Sequence, residues 1–159
     1  MPAVLNTSVR KELLLAKPFL QADEGPRVSF LGMQLCVIAS TQQTGGTFNL
    51  FDVVCPTGFA TPVHIHYAED VVVLVLEGEL ECIWGEERGL ACRGSIFFQP
   101  RGTPHGFRVE GSHPVRTLYM TLPAGLDQLI LEEATSARNA LVTAAARHKI
   151  EILGPLPEG

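Results

Sequence analysis

Short apolar runs separated by glycine-rich turns fill residues 28–122 of the chain. The runs follow one another at close intervals, over residues 28–40, 44–55, 60–66, 71–78, 79–85, 89–93, 95–100, 104–111 and 115–122. Many short strand-like runs with turn residues between them are typical of an all-β sandwich or barrel. We therefore predict an all-β fold for this part of the chain.

After Leu122 the apolar residues recur at intervals of three and four, which is the period of a helix. This period covers residues 126–134 and 136–149, with Thr135 or Ser136 as the N-cap of the second segment. One or two helices are therefore expected after the strands.

Two prolines in the last ten residues, IEILGPLPEG, predict an extended tail instead of a further helix. The chain shows no internal repeat, low-complexity tract or linker. We expect a single domain over residues 1–159, with a barrel core at about 28–122 and a helical extension at about 126–149.

The run VVVLVL, residues 71–76, is apolar at every position, odd and even alike. Alternate side chains of a strand face opposite sides of the sheet, so this strand must be covered on both faces. The barrel interior covers one face. A second subunit would cover the other and make the protein a homodimer, or the C-terminal helices alone would cover it.

Composition and charge narrow the classes of partner. Hydrophobic residues make up 46% of the 159 residues and charged residues 18%, and the net charge is −5. A negative chain is poorly suited to neutralising phosphates, so nucleic acid is not an expected partner. No leader-like segment appears and no apolar run approaches the roughly 20 residues that span a bilayer, so we expect a soluble, cytoplasmic protein without a membrane partner.

The four cysteines lie far apart, without C-x-x-C spacing, and each sits in or beside an apolar run. We interpret Cys36, Cys55, Cys82 and Cys92 as buried, reduced thiols of a cytosolic protein.

Three histidines carry the candidate chemistry. His64 and His66 stand two residues apart on an extended segment, so both imidazoles project to the same face and can bind one ion. A second segment, GSIFFQPRGTPHGFRV, places His105 directly after a P-R-G-T-P loop that the prolines and Gly102 make rigid.

The first of these segments resembles the first motif of the cupins. That motif has a glycine, five residues, H-x-H, three or four residues, a glutamate, six residues and a glycine. This chain offers Gly58, five residues, His64 and His66, and then Gly78.

The second segment resembles the second cupin motif, a glycine, five residues, P-x-G, two residues and a histidine. Gly94, Pro100, Gly102 and His105 fall in register with it. The spacing between the motifs, and residues 114–125, are similar to those of quercetin-dioxygenase-like single-domain cupins. The resemblance covers about residues 44–125. It implies a double-stranded β-helix, or jelly roll, whose mouth holds a mononuclear metal, with His64, His66 and His105 as ligands.

The chain departs from the cupin pattern where a glutamate usually completes the site. Counting from His66 and back from Gly78 places Val71 at that position, and a valine cannot ligate. We rank a true loss of the carboxylate first, substitution by Asp70 second and substitution by Glu69 third. Glu69 reaches an ion only if the turn at residues 67–68 folds back, and a solvated turn is the expected surrounding of both acids.

A site with three neutral imidazoles keeps the full double charge of the ion and leaves positions open for a chelating, anionic substrate such as an enolate. The resemblance implies a divalent transition metal, Fe, Ni, Mn, Co or Zn, without selecting one. We expect a largely apolar pocket around it. The residues expected to line the pocket are Val71, Val73, Gln99, Phe107, Val109 and Tyr119.

Three functions compete on this basis. The first is a metal-dependent oxygenase acting on an enolizable or aromatic small molecule. The second is a non-redox cyclase or isomerase like those of polyketide pathways, in which the ion polarises a carbonyl. The third is a non-catalytic module that binds a small apolar ligand and keeps a vestigial metal site. We favour the enzyme, because three unpaired imidazoles without a role would be costly in an apolar cavity.

Overall fold

A computed structural model describes residue 21, residue 24, residues 27–134 and residues 141–158. The strands are β1 (Val28–Phe30), β2 (Met33–Ala39), β3 (Asn49–Cys55), β4 (Val63–His66), β5 (Asp70–Glu77), β6 (Glu79–Trp84), β7 (Glu87–Cys92), β8 (Ile96–Gln99), β9 (His105–Glu110), β10 (Val115–Leu122) and β11 (Ile150–Gly154). The helices are α1 (Thr41–Thr44), α2 (Leu126–Glu133) and α3 (Leu141–Arg147).

The strands form two antiparallel sheets. One has the order β1-β2-β3-β10-β5-β8 and the other the order β11-β4-β9-β6-β7. Neighbours in each sheet are mostly far apart in sequence, as in β3 beside β10 and β4 beside β9, which is the signature of a jelly roll. The predicted all-β jelly-roll barrel with short C-terminal helices is confirmed.

The core lies between the two sheets. Alternate residues of β5 illustrate it, because Val71, Val73 and Val75 are at most 2% exposed and face the interior. The apolar faces of α2 and α3 join the same buried cluster through Leu129 and Ala145. The described helices therefore add to the interior packing of the barrel.

The opposite face of β5 belongs to an apolar surface on the outside of the six-stranded sheet. Val72 and Leu74 are half-buried there, and their partners on the edge strand β8, Phe98 and Ile96, are 56% and 68% exposed. This outer surface is the one for which the sequence predicts a homodimer partner, and the homodimer remains a prediction.

Two local departures from the sequence prediction lie near the start of the barrel. The run 28–40 is split by a turn at Leu31 and Gly32, both with positive φ, so that it forms the β1–β2 hairpin. The beginning of the run 44–55 is preceded by the short helix α1. Ser40 caps this helix by accepting a hydrogen bond from the Gln43 backbone N–H, while the Gln43 side chain accepts one from the Ser40 N–H.

The C-terminal region agrees with the prediction of one or two helices followed by an extended tail. The proposed cap at Thr135 or Ser136 lies outside the described residues. The extended tail is also part of a sheet, which was not predicted: residues 150–154 form β11 and pair with β4. No helix in the described part of the chain is long and apolar enough to cross a membrane.

A buried polar network joins α1 and α2 to the barrel. Asp127 accepts hydrogen bonds from the Thr41 backbone N–H at 2.8 Å and from the Thr41 hydroxyl at 2.5 Å. The side-chain amide oxygen of Asn49 (Oδ1) accepts a hydrogen bond from the backbone N–H of Gly125 at 2.9 Å. These bonds fix the position at which the chain leaves β10 and enters the first C-terminal helix.

The cysteines are all free, but not all are buried. Cys36 and Cys55 are buried, Cys82 is partly buried, and Cys92 is exposed. Burial raises the pKa of the Cys55 thiol to about 12 and that of the Cys82 thiol to about 11, so both are protonated at neutral pH. The prediction of burial is wrong for Cys92, because its side chain follows the outward parity of an edge strand.

Candidate metal centre

Two neighbouring strands of the five-stranded sheet bring the three histidines together. His64 and His66 lie on β4, and His105 begins β9, directly opposite His64. The ring centroid of His105 lies 4.4 Å from that of His64 and 5.3 Å from that of His66. The two cupin-like sequence segments therefore meet at one point.

The loop before His105 is tied to the end of β4. Gly102 has a φ of 82°, a conformation in which a side chain would be strained, and its backbone N–H donates to the His66 carbonyl at 2.8 Å. This bond holds the P-R-G-T-P loop against β4 and explains why a rigid loop precedes the third histidine.

The ring nitrogens have a defined arrangement. His64 Nδ1 lies 2.8 Å from the Pro62 carbonyl oxygen, and His105 Nδ1 lies 2.9 Å from the Thr103 carbonyl oxygen. A carbonyl accepts only from N–H, so the proton of both rings is on Nδ1 and Nε2 keeps its lone pair.

The three histidines each offer a nitrogen, and these nitrogens lie within 4.8 Å of one another. The Nε2 atom of His105 is buried and has no hydrogen-bond partner among the described residues. A buried nitrogen without a partner is costly, and a metal ion would satisfy it. The donor set therefore fits a transition metal bound by neutral imidazoles.

The protonation states agree with this donor set. Burial, reinforced by the neighbouring rings of His105 and His66, lowers the pKa of His64 to about 3. Burial also lowers the pKa of His105 to about 4, although the Thr103 carbonyl acts in the opposite direction. Both rings are neutral at pH 7, which is the form that binds a metal.

The structure separates the three candidates for the missing carboxylate. Val71 is fully buried and faces the interior, as the count from both motif ends predicts. Asp70 faces outward, where its Oδ1 accepts the Arg101 backbone N–H at 2.9 Å and its Oδ2 accepts from the Arg101 guanidinium at 3.1 Å. Substitution by Asp70 is therefore a wrong prediction, because the strand parity that turns Val71 inward turns Asp70 out.

Glu69 has a different environment from the one expected. It is only 5% exposed, so the expectation of a solvated turn is wrong for this residue. The turn at residues 67–68 folds back and places Glu69 Oε1 3.5 Å from His66 Nδ1. Glu69 does not join the cluster of three converging histidine nitrogens.

A mostly apolar cavity opens beside the histidines, between the two sheets. Its volume is about 100 Å³, and it is open to solvent at one side. Its lining comes from strands of both sheets and from both C-terminal helices: Phe30, Leu31, Met33, Leu35, Val53, Thr61, Pro62, His64, His66, Phe107, Thr117, Tyr119, Leu126, Leu129, Ile130, Leu141, Ala145, Ile150 and Ile152.

Two of the six residues predicted to line the pocket, Phe107 and Tyr119, do so. The other four, Val71, Val73, Gln99 and Val109, are at most 6% exposed and lie outside this lining. They face inward as predicted, but that side of the barrel is filled by close packing. The open space lies nearer to β2, β3 and the helices.

The C-terminal region contributes to the cavity wall, which was not predicted from the sequence. Leu126, Leu129 and Ile130 on α2, and Ile150 and Ile152 on β11, form part of its wall. The three- and four-residue spacing in LDQLILEEA indicates one apolar helix face, but that spacing alone does not say which part of the barrel the face covers.

Tyr119 is the main polar-tipped residue of the apolar wall. Its ring packs 6.4 Å from Phe51, measured between centroids. Burial and the nearby Glu69 carboxylate raise the pKa of its phenol well above the ordinary value. The hydroxyl is therefore protonated at neutral pH and can donate a hydrogen bond.

Comparison with known proteins agrees with the fold and the motifs. The family model described as "Cupin domain" matches residues 51–121. A quercetin 2,3-dioxygenase of Bacillus subtilis (strain 168) is 33% identical over 130 residues, which cover 81% of this chain and 37% of that protein. The chain thus spans little more than a third of the length of this curated relative.

Solved structures share the fold. KdgF from Halomonas sp. superposes with a TM-score of 0.60 at 22% identity, covering 69% of this chain and 98% of that chain. An RmlC-like cupin from Shewanella frigidimarina NCIMB 400 gives a TM-score of 0.61 at 18% identity, over 71% of this chain and 96% of that one. The polyketide cyclase RemF from Streptomyces resistomycificus gives 0.52 at 24% identity, over 57% and 65% respectively.

Proposed function

Because this chain belongs to the cupins, we propose that it is a metal-dependent oxygenase that acts on an enolizable or aromatic small molecule at a mononuclear site held by His64, His66 and His105. The observation that carries the proposal is the convergence of a nitrogen atom from each of three histidines beside a mostly apolar cavity. The relationship to a quercetin 2,3-dioxygenase supports the reaction type.

The three histidines would hold one divalent transition metal by Nε2. The carbonyls of Pro62 and Thr103 fix the tautomer of two of the rings. When bound, such an ion would supply Lewis-acid chemistry for an anionic substrate oxygen and, in an oxygenase, for dioxygen. Since Val71 contributes no charge, the full positive charge of the ion favours a substrate that brings its own negative charge.

The apolar wall would bind the ring system of the substrate and exclude water. A volume of about 100 Å³ approaches that of apolar protein cavities of about 150 Å³ that bind benzene, and the mouth gives room for the rest of a larger molecule. The protonated Tyr119 hydroxyl would donate a hydrogen bond to a substrate oxygen. This bond gives the otherwise apolar cavity a fixed polar contact.

A second candidate is a non-redox cyclase or isomerase. The observation that favours it is the buried carboxylate of Glu69 close enough to Tyr119 to raise the pKa of that phenol. A buried carboxylate near a phenol that lines the cavity is a pair that would move protons without dioxygen.

The first experiment measures metal content. Protein purified without a histidine tag or added metal is expected to contain about one transition-metal ion per chain by plasma mass spectrometry. His64→Ala and His105→Ala are expected to lose it, while His113→Ala, a change at an exposed histidine, keeps it. Metal-free protein whose stability does not respond to Fe, Ni, Mn, Co or Zn would contradict the proposal.

The second experiment separates the reaction types. With quercetin as the probe, an oxygenase consumes dioxygen in proportion to substrate, as measured with an oxygen electrode. Turnover of a probe without dioxygen uptake would favour the cyclase or isomerase. Binding without turnover would favour the ligand-binding module. Tyr119→Phe is expected to lower kcat about fivefold without loss of metal, since one hydrogen bond contributes about 1 kcal/mol.

A further inference from the structure

The Nδ1 atoms of the three histidines are treated differently by the fold. His64 and His105 each direct Nδ1 at the backbone carbonyl two residues earlier in the chain. His66 has no such carbonyl, and its Nδ1 is buried without a hydrogen-bond partner among the described residues. The carboxylate oxygen of Glu69 lies opposite this atom, at 3.5 Å.

Glu69 is itself a residue that requires a partner. A carboxylate that is 5% exposed loses most of its hydration, which is costly unless a donor or a positive charge compensates. Among the described residues, the ion-pair partner found within 4 Å of the Glu69 carboxylate is the His66 ring. The nearest guanidinium on the loop before β9, that of Arg101, is engaged by Asp70.

The turn that carries Glu69 is held from both sides. The backbone N–H of Tyr67 donates to the Lys149 carbonyl at 2.9 Å, and the Tyr67 hydroxyl donates to Glu151 at 2.6 Å. On the other side, Asp70 is anchored to Arg101. With residues 67 and 70 both fixed, Glu69 is directed back along β4 toward His66.

We propose that Glu69 is a positioning residue, which accepts a hydrogen bond from the Nδ1–H of His66 and thereby holds Nε2 of that ring toward the ion. The separation of 3.5 Å is about 0.5 Å longer than an ordinary N–H···O bond, and a small rotation of the glutamate side chain closes it. Val71 cannot supply a negative charge to the ion. Glu69 then supplies it indirectly, through its hydrogen bond to the ligating His66 ring. This inference rests on the metal site of the proposed function.

The consequence for the site is unequal ligands. A carboxylate on the distal nitrogen makes an imidazole a stronger donor and fixes its orientation, whereas a backbone carbonyl does so more weakly. His66 would therefore bind the ion more strongly than His64 or His105.

The test uses Co²⁺ as the probe, added to the full metal-free protein and measured by competition with a chelator. Glu69→Ala is expected to weaken Co²⁺ binding about 10- to 100-fold. Glu69→Gln keeps the accepting oxygen and the shape but loses the charge, so we expect an intermediate loss. Glu77→Ala is the matched control, at an exposed glutamate at the other end of β5, and is expected to bind Co²⁺ as the unaltered protein does.

Proton NMR of the Co²⁺ form gives a readout that a merely structural role would not change. Three strongly shifted, solvent-exchangeable signals are expected, one for the Nδ1–H of each ligating histidine. In Glu69→Ala the signal of His66 is expected to exchange faster or disappear, while the other two persist. If Glu69→Ala fails to fold, the same comparison is made with Glu69→Gln.

Two results would overturn the proposal while leaving the metal site intact. In the first, Glu69→Ala binds Co²⁺ within about threefold of the unaltered protein and keeps all three signals. In the second, Glu69→Ala changes the visible absorption of Co²⁺ to that of a site with fewer ligands and keeps the His66 signal, which would make Glu69 a ligand. By contrast, Co²⁺ binding that is unaffected by His105→Ala would overturn the proposed function itself.

Discussion

His64 on β4 and His105 on β9 form a directly opposed cross-strand pair, and their ring centroids are 4.4 Å apart. It is the pair of residues through which β4 and β9 are aligned in the sheet. On its other side β4 pairs with β11, and the loop of residues 100–104 leads into β9. Because the pair belongs to the backbone ladder, the geometry of the site depends on the barrel as a whole and not on a flexible loop.

Val71→Glu tests whether position 71, where a glutamate usually completes the cupin site, faces the metal ion. Val71 is fully buried on β5, between the neighbouring strands β8 and β10 of the same sheet, where it pairs with Gln99 and Thr121. We expect the variant to bind Co²⁺ more tightly and the metal-free variant to be less stable, since it buries a charge. Chelator competition and denaturant unfolding measure the two effects, with Val73→Glu as the control for burial alone. An unchanged affinity in a folded variant would show that position 71 does not face the ion.

The lowered pKa values of His64 and His105 predict a pH dependence of stability. The unfolded chain binds these protons near pH 6.5, whereas the folded chain does so only near pH 3 and 4. The free energy of unfolding of the metal-free protein should therefore be unaffected above pH 6.5 and fall by about 1.4 kcal/mol per pH unit for each histidine as the pH drops from 6.5 toward 4. Urea unfolding at pH 7 and pH 5 measures the slope.

The control for this slope is a set of histidine variants. In His64→Ala/His105→Ala the slope between pH 6.5 and 5 should become shallower, while His113→Ala should keep it because that residue is exposed. Equal slopes in all three proteins would contradict the predicted contribution of the buried rings.

Asp52→Ala tests the ion-pair cluster on the outer face of the six-stranded sheet. Burial acts to raise the pKa of Asp52, but hydrogen bonds from Arg116 at 2.7 Å and Arg27 at 2.8 Å outweigh it and lower the pKa. Removing a carboxylate that is 7% exposed beside two guanidinium groups is expected to cost about 3 kcal/mol in the free energy of unfolding.

Asp70→Ala is the matched comparison for Asp52→Ala, because Asp70 also pairs with an arginine but its side chain is 29% exposed and that of Arg101 is 49% exposed. Such a surface pair contributes at most about 1 kcal/mol. Thermal and urea unfolding of the two variants should differ accordingly, and similar losses would show that burial does not decide the strength of these pairs.

The predicted homodimer can be tested on the outer apolar surface of β8. Ile96→Glu/Phe98→Glu places charges where two large apolar side chains are 68% and 56% exposed. If a second copy covers this surface, the variant should be monomeric by size exclusion with light scattering at concentrations where the unaltered protein is dimeric. Leu90→Glu, at a residue that is 64% exposed on the other sheet, should not change the mass. A monomeric unaltered protein would contradict the homodimer.

The strands and the three histidines could be predicted from sequence because both depend on local signals. Apolar alternation and glycine turns mark the strands, and the H-x-H pair and the rigid loop mark the candidate ligands. The Ser40 to Gln43 capping box of α1 was also a local signal, but it was masked by the strand-like run around it.

The features that could not be predicted depend on contacts between distant residues. Neither the β4–β11 pairing nor the contribution of α2 to the cavity wall follows from any local pattern. The inward turn of Glu69 depends on backbone and side-chain bonds from Tyr67 to residues 149 and 151, far along the chain. A short acidic turn is solvated unless such contacts redirect it, so the sequence alone favoured exposure.

The pairing of β11 with β4 has a consequence for local unfolding. Ile150 and Ile152 lie opposite His66 and His64, so β11 cannot separate from the sheet without loosening the strand that carries two of the ligands. By thermodynamic linkage, an ion that binds only the closed arrangement lowers the population of the open one. Amide hydrogen exchange at residues 150–154 should therefore slow when Co²⁺ is added, so that the far end of the chain reports on the occupancy of the metal site.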